Sequence, residues 1–181
     1  SGNNPKRKSI YCYRIKSSDE GFGVDYSKSI EVFYDKLPDV KRLVMLNFPA
    51  SHAITVKGKV LLFLDANYND DGTSYVPGEV DWKNTYIPEE QLQTRMQQLC
   101  DPDVTEAYVF LHQNLDPEVQ KDHIVRNAAT VREAIHASGK VKAVFQGHYH
   151  KGHETVIDGI PYHTLPAMCE GEENRFMIIE L

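Results

Sequence analysis

Two short apolar runs, AYVFLH (Ala107–His112) and VKAVFQG (Val141–Gly147), decide the fold class of this chain. Between them, DPEVQKDHIVRNAATVREAIHASG (Asp116–Gly139) places Ile124, Ala128, Val131 and Ile135 on one helical stripe, with Gly139 as its stop. Strand, helix, strand in that order is a βαβ unit, whose strands should be parallel neighbours joined by a right-handed crossover. The runs are apolar at consecutive positions, the pattern of a sheet covered on both faces.

The surrounding sequence extends the unit. PEEQLQTRMQQLC (Pro88–Cys100) opens on proline and acids and carries Leu92, Met96 and Leu99 on one face, which predicts a helix. HAITVKGKVLLFLDAN (His52–Asn67) reads as a hairpin turning at Lys57-Gly58, and Tyr68–Pro88 as a long ordered loop rich in Gly, Asp, Asn and Tyr. Downstream, Glu154–Leu165 predicts a hairpin and RFMIIEL (Arg175–Leu181) a closing strand. Upstream, Ser9–Ile15 predicts a strand, Tyr26–Leu37 a helix closed by Pro38, and Arg42–Leu46 a buried strand. The class is α/β with a mixed sheet and helices. The 181 residues are read as a single domain, 1–181, long enough to bury a core.

Composition narrows the function. A net charge of −6 argues against a general nucleic-acid surface, which needs a basic face. No apolar run approaches the roughly 18 residues of a membrane span. No signal peptide is visible, so the default location is the cytoplasm, although a start at Ser1 and Gly2 leaves room for a missing native N-terminus. Cys12, Cys100 and Cys169 lack CxxC spacing and read as buried thiols.

Histidines gather where the two deciding strands end. In a parallel sheet, ligands collect at the carboxyl ends of the strands. His112 ends the first run; His148 and His150 follow the second, on one side of an extended chain, with Tyr149 on the other. Gly147 would let the backbone pass close beneath a ligand. Neutral imidazole is a common ligand for zinc, iron and related ions, so the spacing points to metal or phosphate binding at the rim. A lone strand-terminal histidine would be an ordinary polar end residue.

FLHQNLDP (Phe110–Pro117) followed by VFQGHYHKG (Val144–Gly152) resembles the last two motifs of the calcineurin-like metallophosphoesterases. The resemblance covers residues 51–181, closest to an alkaline-phosphatase-like bacterial branch; residues 1–50 match poorly. It implies the C-terminal half of a four-layer αββα sandwich and a site where two divalent ions (Mn, Fe or Zn) activate water against a phosphate ester. It further implies that His112 and His148 bind the second ion, that His150 reaches towards the first, and that Gln113, Asn114 and Tyr149 line the rim near substrate. His123 and Asn127 are expected to cap or pack and Asp65 to order its loop. His52, His136 and His163 are expected to be structural; His153 is kept only as a candidate for supporting the site from behind, an ordinary structural role being the favoured one.

The family's earlier motifs, Asp-x-His, Gly-Asp-x-x-Asp and Gly-Asn-His, do not occur, so the bridging carboxylate and catalytic histidine are missing. About half of the catalytic site is therefore absent, and weak or single-ion binding is expected. Two readings stand: the C-terminal part of a phosphoesterase, inactive or nearly so alone, or a truncated non-catalytic relative acting as a binding or structural domain. With its partner layer missing, the apolar sheet should associate as a homodimer, which sedimentation equilibrium would reveal.

Overall fold

The computed structural model describes residues 51–75, 81–167 and 177–179. The chain divides into two compact units, Ser1–Val44 and Met45–Leu181, and every described residue lies in the second. The strands and helix expected between Ser9 and Leu46 fall outside the described residues.

Six strands form one mixed sheet: β1 (His52–Val56), β2 (Lys59–Phe63), β3 (Glu106–Phe110), β4 (Val141–Gln146), β5 (His153–Ile157) and β6 (Ile160–Thr164), in the order β1-β2-β3-β4-β6-β5. β2, β3, β4 and β6 are parallel, and β1 and β5 are antiparallel edges. Both edges are hairpin arms, each turned by two residues with positive φ: Lys57 (52°) with Gly58 (77°), and Asp158 (51°) with Gly159 (80°). Such turns match the right-handed strand twist.

α1 (Glu89–Gln98) links β2 to β3, and α2 (Ala128–Ala137) links β3 to β4. The expected βαβ unit is present, since β3 and β4 pair in parallel. Its helix is shorter than the apolar stripe suggests. Lys121–His123 make one 3-10 turn, after which Ile124 is extended (φ −94°, ψ 133°) and bridges to Asn114. Only Ala128, Val131 and Ile135 continue the stripe inside α2. The β-branched pair Ile124-Val125 is drawn into pairing beside the loop after β3, where a helix would leave Asn114 without that partner.

The alternating residues Val60, Leu62, Ala107 and Val109 are buried, and the core they build also contains Leu92, Val131 and Ile135. The other face carries a row of stacked rings running from strand to strand: His52, Phe63, Phe110, Phe145 and His163, with successive centroids 4.5, 5.2, 5.1 and 5.0 Å apart. His52 and His163 form the two ends of this stacked row. Two expectations fail. Met177, Ile178 and Ile179 are exposed and in no strand. Cys100 is an exposed free thiol, because Leu99 beside it takes the buried position. Among the described residues no helix is long and apolar enough to cross a membrane.

Candidate functional site

β3 stops at Phe110 and β4 at Gln146, so the loops that follow leave the sheet at one rim. The floor of that rim is a buried amide layer. Asn114 Nδ2 donates to Gly147 O (3.1 Å) and Thr164 Oγ1 (2.9 Å), while its Oδ1 accepts from Asp116 N (2.9 Å) and Gln146 Nε2 (2.8 Å). Gln146 Oε1 accepts from Leu115 N (2.8 Å). Asn114 is fully buried, so its amide holds the loops together. Gln113 is buried as well and donates to Asn67 Oδ1 (3.0 Å).

On this floor stand the imidazoles. His148 has φ 67°, so the chain is no longer extended there, and the strand alternation expected across His148, Tyr149 and His150 does not apply. A Cβ on Gly147 would meet His112 O at 3.4 Å, an ordinary contact distance. Gly147 N donates to that same carbonyl (3.0 Å), which ties the two loops together.

His148 Nδ1 lies 3.2 Å from His112 Nε2. The other ring nitrogen, Nε2, lies 3.3 Å from the carbonyl oxygen of Trp82. A carbonyl can only accept, so Nε2 carries the proton and Nδ1 presents its lone pair to His112. Burial, then the neighbouring His112 and His123, depress His148 to a pKa of about 4, so it is neutral at physiological pH. Two nitrogens bound at about 2.0–2.1 Å to one tetrahedral ion would be about 3.3 Å apart. A ligand imidazole also usually gives its second N–H to a carbonyl or carboxylate. The pair therefore fits half of one coordination shell. Among the described residues, no group of three or more His, Cys, Asp or Glu is placed to hold an ion. His150 is exposed on the same turn and adds to the electrostatic depression of His148.

Trp82 and the placement of His123 were not legible in the strand pattern. The loop carrying Trp82 is pinned from both sides. Asn84 N donates to Asp81 O (2.9 Å), and the Tyr75 hydroxyl lies 2.8 Å from Asp81 O and 2.9 Å from Asn84 O. Asn127 brackets Ile87, accepting from its N–H (3.1 Å) and donating to its carbonyl (2.7 Å), which is the packing role expected of it. The His123 ring meets those of His148 (5.2 Å), Trp82 (5.4 Å) and Tyr149 (5.4 Å). It packs, as expected, and does so against the rings at the rim.

Asp65 orders its loop, accepting from Asn67 N (3.0 Å) and Asn67 Nδ2 (2.6 Å). His153 Nδ1 contacts the buried carboxylate of Asp116 at 2.6 Å, which ties the start of β5 to the loop after β3.

Among solved structures, the chain is similar to a dimetal phosphatase from Danio rerio (LOC 393393), with a TM-score of 0.55 and 16% identity over 64% of this chain and 48% of that one. The fold is similar to that of this dimetal phosphatase. At that identity the likeness is one of architecture, and this chain spans about half the length of the phosphatase. No family model and no curated protein matches the chain. In this sheet the imidazole pair occupies the carboxyl rim, where parallel sheets carry their ligands.

Proposed function

We propose that this chain carries part of a calcineurin-like metallophosphoesterase site, in its bacterial alkaline-phosphatase-like branch. In this reading His112 and His148 hold one divalent ion, and His150 reaches towards a second. The observation that carries the proposal is the 3.2 Å approach of two imidazole nitrogens, one ring neutral and braced by a carbonyl. A bound divalent ion supplies Lewis acidity and an acidified water to attack a phosphate mono- or diester. The protein's own part is to fix the two rings on the amide floor, with Trp82 O holding the proton of His148 on Nε2. Tyr149 stands at the same turn, on the substrate side.

The chain alone is proposed to be inactive or nearly so, because the bridging carboxylate and catalytic histidine of the family's earlier motifs are absent from its sequence. It would act as the C-terminal part of a larger site. Self-association through the ring-bearing face of the sheet belongs to the same reading. The alternative, a non-catalytic relative, is favoured by one observation: no third acidic or imidazole ligand joins the pair among the described residues.

Calorimetric titration of zinc and manganese at neutral pH tests the site. One weakly bound ion is expected, with affinity reduced at least about tenfold in His148→Ala, the low end of what losing even a supporting group costs. Aryl phosphate and phosphodiester assays with manganese should show no turnover near the ~1 s⁻¹ typical of enzymes. Two tightly bound ions indifferent to His148→Ala would remove the assignment.

A further inference from the structure

The rim carries more aromatic surface than holding an ion requires. Trp82 is the chain's one tryptophan and is 45% exposed, beside the imidazole pair. Its ring meets His148 edge-on (5.4 Å, 72°) and His123 at a tilt (5.4 Å, 55°), and His123 meets Tyr149 edge-on (5.4 Å, 80°). In each edge-on contact one ring gives its face to the other's edge, but with 45% of Trp82 exposed part of the indole surface stays open to a planar partner. His123 Nδ1 is buried without a hydrogen-bond partner, so the ring is held there by its packing. The loop bonds of Tyr75 and Asn127 show that Trp82 is built into place rather than left at a loop tip.

Lys83 Nζ lies over the Trp82 ring, 5.1 Å from its centroid, and 3.2 Å from Asp122, so a paired cation covers one face of the indole and a planar group would take the other. A ligand joining an anion to a flat ring would meet the ion with one end and the rings with the other. An aliphatic ester would reach the first and gain little from the second.

From this geometry we infer that Trp82, His123 and Tyr149 form a subsite for a planar aromatic group of a phosphate ester, with Trp82 as its stacking surface. The inference rests on the phosphoester reading above and names the substrate class of that site. The shared chemistry is an aryl or nucleobase ring a few bonds from a phosphate.

Because there is one indole, its N–H gives one resonance in the ¹⁵N-labelled chain. That resonance is followed, with manganese-matched calorimetry, during addition of phenyl phosphate, adenosine monophosphate, glycerol 3-phosphate and inorganic phosphate. Zinc replaces manganese in the spectra to avoid paramagnetic loss. Phenyl phosphate, adenosine monophosphate or both should move the indole line saturably and bind about tenfold more tightly than glycerol 3-phosphate, within the range for ring stacking on an aromatic side chain. Which of the two binds better separates an aryl from a nucleobase ligand. Trp82→Leu should abolish the difference between ring-bearing and aliphatic esters; Tyr149→Leu, checked for folding by circular dichroism, should reduce it. Equal affinity for ring-bearing and aliphatic esters would overturn the subsite and leave the phosphoester reading standing. Failure of every phosphate to bind would overturn the subsite, while the ion assignment stands or falls on the zinc and manganese titration above.

Discussion

The rim has two storeys built on opposite principles. Below, the buried amides of Asn114 and Gln146 and the hydroxyl of Thr164 satisfy one another and the backbone of two loops, those after β3 and β4. Above, His148, His123, Trp82 and Tyr149 are joined mainly by ring contacts, and one buried nitrogen, His123 Nδ1, has no partner. The lower storey is a closed polar network, which fixes a unique geometry because any slip strands a donor. The upper storey is adjustable, since a ring held by its faces can tilt at small cost. Rigid support beneath adjustable groups is an arrangement suited to positioning a ligand.

Breaking the lower storey should have the largest effect. Asn114→Ala removes partners from Gly147 O, Thr164 Oγ1, Asp116 N and Gln146 Nε2, all at or beneath the rim. Asp116 N would lose its partner outright, while Gly147 O keeps Tyr149 N and Gln146 Nε2 and Thr164 Oγ1 keep each other. With the space the amide leaves, the cost should be about 2 kcal/mol in urea unfolding. A loss under about 1 kcal/mol would mean that water or neighbouring groups replace the amide, and the network would not be the support described.

Tyr162, also buried, sharpens the comparison through pH. Burial pushes its hydroxyl up to about 12, with Asp158 and Asp116 raising it further and Arg132 opposing. In the unfolded chain a tyrosine ionises near 10, so between pH 10 and 12 the unfolded state loses a proton that the folded state keeps. Its contribution to stability is therefore complete below pH 10 and is lost as pH rises through about 12. The urea midpoint of the parent should fall over that window, and Tyr162→Phe should flatten the fall. An identical alkaline decline in both chains would show that this hydroxyl ionises as freely folded as unfolded.

The sheet was legible because its signals are local. Two positive-φ turns, two apolar runs and one helical stripe between Ala107 and Gly147 need no knowledge of distant residues. The convergence of His112 with His148 followed from parallel pairing alone. What escaped depends on long-range placement. Trp82 comes from a loop some thirty positions before His112, and nothing in its neighbours' periodicity says that its carbonyl braces His148. Asn114 looked like a rim group because sequence position places it there; that its amide turns inward is decided by Gln146 and Thr164. The helix expected from Asp116 onward shortened for a similar reason, because Ile124 found a bridge partner in Asn114.

The smallest effect has the opposite sign and tests the upper storey most directly. His123 Nδ1 is buried without a partner, and such a group costs stability in the folded state. Phenylalanine keeps a ring in contact with His148, Trp82 and Tyr149 and deletes the stranded nitrogen. Replacing an unsatisfied polar group with an apolar one of similar shape is nearly neutral or stabilising. His123→Phe should therefore raise stability by about 0.5–1 kcal/mol, the gain being trimmed because phenylalanine is larger than imidazole and must find room. It also removes one neighbour that depresses His148, so a His148 pKa followed by NMR should move up from about 4 while burial still holds it below the ordinary value. A loss of stability comparable to that of Asn114→Ala would mean that His123 has a hydrogen-bonded role in solution, and the two storeys would then be one network.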